Sequence, residues 1–136
     1  MFLLLEHDTR DQAARGRRPG AGEVHWDLLI EIPGQERLAT WRLAENPIEA
    51  PAEIAAERIG DHRRAYLDYE GGLGGGRGSV RRLDRGASVL EEYSEHRVTA
   101  DLEGEHLRGR YEIVRHARGT MLFRRAAGGG PPPVSD

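Results

Sequence analysis

The sequence predicts a mainly β fold, a single compact antiparallel β-barrel with one or two short helices. Three observations carry that expectation. The second half breaks into short segments at about 63–70, 77–84, 87–93, 96–102, 106–115 and 120–125, with Gly-containing turns between them; many short strands at such spacing suggest a sandwich or small barrel. The run Val24 to Ile32 alternates, with Trp26, Leu28, Ile30 and Ile32 on one parity and His25, Asp27 and Glu31 on the other, which is how a strand with one buried face reads. Finally, 136 residues suffice for one domain and are too few for two of ordinary size.

In chain order, residues 2–6 read as a short buried strand. Thr9 to Gly22 carries Arg10, Arg15, Arg17, Arg18, Pro19 and Gly20 with no apolar period, a polar loop of a length that is often functional or mobile. The strand at 24–32 turns through Pro33-Gly34 into a hairpin partner, Arg37 to Leu43. Residues 46–60 hold two prolines, and a short helix is expected over Ala52 to Ile59. The expected core is Leu3, Leu5, Trp26, Leu28, Ile30, Trp41, Leu43, Leu67, Val80, Ile113 and Leu122. The barrel domain spans 1–125, and the Gly/Pro-rich tail 126–136 is expected to be disordered.

Composition removes several classes of function. Without cysteine there is no disulfide framework, thiolate metal site or cysteine nucleophile. The apolar start Met1 to Leu5 meets Glu6, His7 and Asp8 at once, too short for a signal peptide or a membrane span, so a cytoplasmic protein with no membrane partner is expected. A net charge of −3 argues against coating nucleic acid by bulk electrostatics. All 20 basic residues are arginine, which reflects genome base composition more than function but still provides forked phosphate donors.

Two clusters carry candidate chemistry. His25 and Asp27 are same-face neighbours on a strand, about 7 Å apart, and an imidazole beside a carboxylate is a common divalent-metal pair. The alternative is an amphipathic strand with a wet face. In Asp61 to Gly71, His62 and Tyr66 stand four apart and share a face in either a helix or a strand; read as a strand, Arg64 joins them. A solvated surface is the alternative here too. His7 ends the first strand, whereas His96, His106 and His116 sit among Arg and Glu and read as surface residues.

These residues resemble the 3′-phosphoesterase domain found in bacterial DNA ligase D and as small stand-alone proteins. The shared features run in order: Glu6-His7-Asp8; His25-Trp26-Asp27-Leu28-Leu29-Ile30-Glu31; Leu38 to Trp41; Asp61 to Gly71; Gly78-Ser79-Val80 with Asp84-Arg85-Gly86; and Gly104, Leu107, Gly109 and Ile113-Val114-Arg115. The resemblance covers roughly residues 2–124. It implies a β-barrel with a polar crater holding one divalent metal, manganese being expected, on His7, His25 and Asp27. His62 and Tyr66 would act on the phosphate. The implied substrates are DNA 3′ ends of a primer-template, with a repair ligase or polymerase as candidate partner and a monomeric state.

The chain departs from that pattern. The loop Thr9 to Val24 separates His7 from His25. Leu29 stands where the family usually has a phosphate-binding arginine, and Glu45 and Asn46 lie near the place of a usual lysine. An attenuated or inactive module that binds metal, phosphate or nucleic-acid ends is therefore the alternative function. Arg64, where the family commonly has leucine, is expected to replace the lost arginine from the opposite wall, with Arg77 a second candidate. On this reading Leu29→Arg raises activity.

Overall fold

The computed structural model describes residues 1–10, 23–49, 53–68, 70–72, 78–116 and 119–126. Its strands are β1 (Phe2–Asp8), β2 (Val24–Glu31), β3 (Leu38–Leu43), β4 (Glu53–His62), β5 (Gly71–Gly72), β6 (Ser79–Tyr93), β7 (Arg97–Glu103), β8 (Arg108–Arg115) and β9 (Met121–Arg125), with a 3-10 turn at Arg64–Leu67. They form one antiparallel sheet in the order β1-β2-β3-β4-β9-β8-β7-β6-β5. A further pairing of β1 with β6 closes eight of them into a ring, which leaves the two-residue β5 as an attachment to β6. The expected mainly β, barrel-like fold is what the chain adopts. The loop expected at 9–22 is described only at Thr9 and Arg10; Arg77 and the tail from residue 127 lie outside the described residues.

Three expected elements differ. The helix expected over Ala52 to Ile59 does not form: Glu53–His62 is a strand paired with β3 on one edge and β9 on the other. Without β4 the ring would have two open edges, and satisfying those backbone groups outweighs a weak local helix preference. The segments at 77–84 and 87–93 are one strand, β6, which pairs with β1 up to Gly86 and with β7 from Ala87. A Cβ on Gly86 would overlap the carbonyl oxygen of Glu103, so only glycine lets the strand pass from one partner to the other. Residues 63–70 are not a strand: Arg64–Leu67 turns as a 3-10 segment.

The ring interior is filled by Phe2, Leu4, Leu28, Ile30, Trp41, Leu43, Ile54, Leu102, Ile113 and Phe123, among others. A second buried cluster lies on the outer face of β1 and β2: Leu3, Leu5, Leu29, Leu38, Leu67 and Val80, with Tyr66 against it. The single core expected from the sequence therefore divides. Leu3, Leu5, Leu67 and Val80 belong to the outer cluster, and Leu122 is half-buried in neither. The cause is the connection from β4 to β6, which crosses the outside of β3, β2 and β1 and lays Leu67 on their leucines. Arg82 and Arg85 of β6 hold it there by donating to the Leu67 carbonyl at 3.3 and 2.9 Å.

Asp84 explains two of the sequence motifs. Its buried carboxylate accepts backbone N–H groups from Arg85, Glu105, His106 and Leu107 at 2.7–3.0 Å. It thereby pins the β7–β8 turn to β6. A Cβ on Gly104 would stand 2.6 Å from Asp84 Oδ1, so the turn glycine permits the approach. Across the outer face of the other strands runs a charge ladder: Arg97, Glu112, Arg124 and Glu53 join β7, β8, β9 and β4. Burial pushes the Glu112 carboxyl up, but hydrogen bonds from Arg124 and Arg97 outweigh it and hold the group below its ordinary value.

Asp84→Ala strands four backbone donors in a buried place, and should cost about 3 kcal/mol or more in denaturant unfolding, with Asp84→Asn in between. Carboxylates depressed in the folded state stabilise it above their unfolded pKa and lose that contribution as pH falls. Asp8, held at about 2 from 3.8 by the hydrogen bonds of Arg10, marks the window. The melting temperature should fall as pH drops from 3.8 to about 2, and Glu112→Gln should flatten that limb.

Candidate functional site

The site is built by strand parity and register. On β1 the residues His7, Leu5 and Leu3 face outward, and on β2 His25, Asp27, Leu29 and Glu31 do so. Antiparallel pairing sets His7 directly across from His25 and Leu5 across from Asp27. The long loop therefore does not part the two histidines, whose ring centroids lie 6.1 Å apart. Below the loop, Thr9 clasps Glu23, with N–H and hydroxyl both donating to its carbonyl at 2.9 and 2.7 Å. From the other side of β2, Arg42 of β3 stands across from Asp27.

Asp27 is the hub. Its residue is only 2% exposed, although the sequence suggested a wet face. Arg42 Nε donates to Oδ1 at 3.3 Å, and His62 Nε2 lies 3.8 Å from Oδ2. His62 ends β4, and its Nδ1 is 3.1 Å from the Gly60 carbonyl. Since a carbonyl only accepts, that contact places the proton on Nδ1 and turns Nε2 toward Asp27. One turn later, the Tyr66 ring is 5.2 Å from that of His62. The four-residue spacing thus brings the pair together, although the intervening backbone is neither of the regular forms considered.

Arg64 lies elsewhere. It forms an ion pair with Glu31, four residues beyond Asp27 on the same strand face. Leu29, between Asp27 and Glu31, is 0% exposed and packed into the outer cluster. The position has no room for a solvated guanidinium. Arg42 is the residue that sequence reasoning missed. The signal was present, since the Pro33-Gly34 hairpin that pairs Leu28 with Trp41 also pairs Asp27 with Arg42.

Two imidazoles and a carboxylate are donors suited to a divalent cation. Burial, then the nearby charge of Arg42, push His25 below its ordinary value, so it is neutral at pH 7 and able to ligate. His7 and His25 would supply the two nitrogens. Asp27 is engaged with Arg42, and among the described residues no group of three His, Asp or Glu is already drawn together around an ion position. The donor set would fit a metal chemically, with Asp27 as its third member.

No helix among the described residues is long and apolar enough to cross a membrane. A family model described as the DNA ligase D 3′-phosphoesterase domain matches residues 18–115. The match includes His25, Asp27, His62, Arg64 and Tyr66, and begins after β1 and His7. A search of curated proteins returned no match.

The structure reverses the expectation for Leu29→Arg. A long cation inserted among Leu3, Leu5, Leu38 and Leu67 is buried without a partner, so the variant should lose at least about 2 kcal/mol of stability, read as a lowered denaturation midpoint, rather than gain activity. A Leu29→Arg protein that melts with the parent would show this face to be open.

Proposed function

Because the chain belongs to the DNA ligase D 3′-phosphoesterase domain family, we propose that it is a metal-dependent phosphoesterase acting on the 3′ ends of DNA during repair. The observation that carries the reading is the outer-face cluster itself. His7 and His25 pair across β1 and β2, Asp27 lies beneath, and His62 and Tyr66 arrive on the crossing segment. Pairwise proximities link five groups able to bind a metal or a phosphate, drawn from three separate stretches of chain.

In this mechanism His7, His25 and Asp27 would hold a divalent metal, manganese by preference, which would supply neutralisation of phosphate charge and activation of a water. The chain's own groups do the rest. His62 would keep its Nδ1–H on Gly60 and, when Nε2 also carries a proton, give that proton to the 3′ oxygen. The bond from phosphorus to that oxygen breaks as one to a water oxygen forms, leaving a 3′-hydroxyl and inorganic phosphate. Tyr66 donates its hydroxyl to a phosphoryl oxygen, stabilising the charge that develops there. The leucines of the outer cluster form a dry floor, which strengthens these polar contacts.

One observation favours a second reading, a module that binds DNA ends without turnover. The position of the expected arginine is a buried leucine. Incubation with manganese and a primer-template bearing a 3′-phosphate separates the two. The enzyme reading predicts release of inorganic phosphate that chelation abolishes. His62→Ala and Tyr66→Phe should lower the rate roughly a hundredfold or more for the histidine and by less for the tyrosine, with unchanged melting temperatures. Binding with no phosphate released at any metal concentration would leave the second reading.

A further inference from the structure

We infer that Arg42 is the guanidinium that grips the terminal phosphate in this chain, a role that neither the sequence motifs nor the matched family assigns to it. The inference rests on the phosphoesterase reading and adds to it the residue that recognises the substrate's charged end.

Geometry singles Arg42 out. It projects from β3 on the same outer face as His25 and Asp27, directly across from Asp27. Its Nε is bonded to the nearly buried Asp27 carboxylate at 3.3 Å, while the side chain as a whole remains 34% exposed. Among the described residues its two terminal nitrogens, Nη1 and Nη2, have no hydrogen-bond partner. An arginine tethered at Nε presents both Nη groups as a fork, the arrangement that binds two oxygens of a phosphate at once. The tether also lowers the conformational entropy that binding would otherwise cost, because the long side chain is already oriented.

The other described arginines aimed at this face are engaged differently. Arg64 is paired with Glu31 through a terminal nitrogen. Arg82 and Arg85 use Nη1 on the Leu67 carbonyl, where they hold the crossing segment down. Arg58 gives its terminal nitrogens to Thr40, Ile59 and Asp61 and lies over the Trp41 ring. Among these, only the pairing at Asp27 uses the inner nitrogen and leaves the fork open. A phosphate there would lie between Arg42 and His62, both of which approach Asp27. The ligand class is a dianionic phosphate monoester, with preference over an oligonucleotide ending in a hydroxyl.

The test compares binding of two otherwise identical oligonucleotides, ending in a 3′-phosphate or a 3′-hydroxyl, by fluorescence anisotropy in the presence of a chelator. Metal and turnover are thereby removed from the readout. The parent protein should favour the 3′-phosphate roughly tenfold or more, as charge-assisted hydrogen bonds do, and Arg42→Gln should erase that preference. Arg42→Lys keeps a cation beside Asp27 but loses the fork, and should retain only part of the preference at an unchanged melting temperature. Arg64→Gln should keep it. Undiminished preference in Arg42→Gln or Arg42→Lys, or its loss in Arg64→Gln alone, would overturn the assignment. If the parent releases phosphate with manganese while Arg42→Gln does so equally well, this inference fails and the phosphoesterase reading stands. If the parent neither prefers the 3′-phosphate nor releases it, both fail.

Discussion

The crossing of the chain between His62 and Gly71 determines what the outer face of the sheet becomes. β4 and β6 lie on opposite flanks of β1, β2 and β3 in the ring, so the connection must pass over those strands. Leu67 packs onto Leu3, Leu5 and Leu29, and Arg82 and Arg85 secure its carbonyl. Each leucine buried in this way contributes about 2 kcal/mol, enough to hold a short irregular segment without a helix or strand of its own. A face that would be solvated in a plain barrel becomes an interior with one polar edge. His62 approaches Asp27, and Tyr66 approaches His62, because the chain beyond them is anchored at Leu67.

Burial then sets the electrostatics. Asp27 is taken out of water, and a buried carboxylate persists only when charges and donors compensate it. Arg42 does so, and burial together with the Arg42 charge keeps His25 neutral. A neutral imidazole and a fixed cation thereby stand near each other on one face. The far side of the ring uses its charges differently. There the Arg97–Glu112–Arg124–Glu53 ladder spends its guanidinium groups on tying strands to each other.

Much of this was legible in the residues. Alternation over Val24 to Ile32 gave the strand and the face, and the four-residue interval between His62 and Tyr66 brought them together despite a wrong backbone assignment. The ordered motifs pointed to the family whose model matches most of the chain. What failed was non-local. Glu53–His62 has helix-compatible residues, and only the need to close the ring between β3 and β9 makes it a strand. Leu29 read as a lost functional group because no local pattern says that the second face of β2 is covered. Asp84 read as a family marker; its role is to bind three N–H groups of a turn some twenty residues away, and that is a tertiary fact. Arg42 was overlooked because its neighbour Asp27 lies on another strand.

If the chemistry resides on this covered outer face, it centres on His7, His25 and His62, three of the six histidines. Titration of the protein with substoichiometric manganese, followed by the imidazole proton resonances, tests it most directly, since the paramagnetic ion broadens only nearby nuclei. Selective broadening of His7, His25 and His62 is expected, with His96, His106 and His116 remaining sharp. Uniform broadening of all six, or loss of the latter three first, would contradict it.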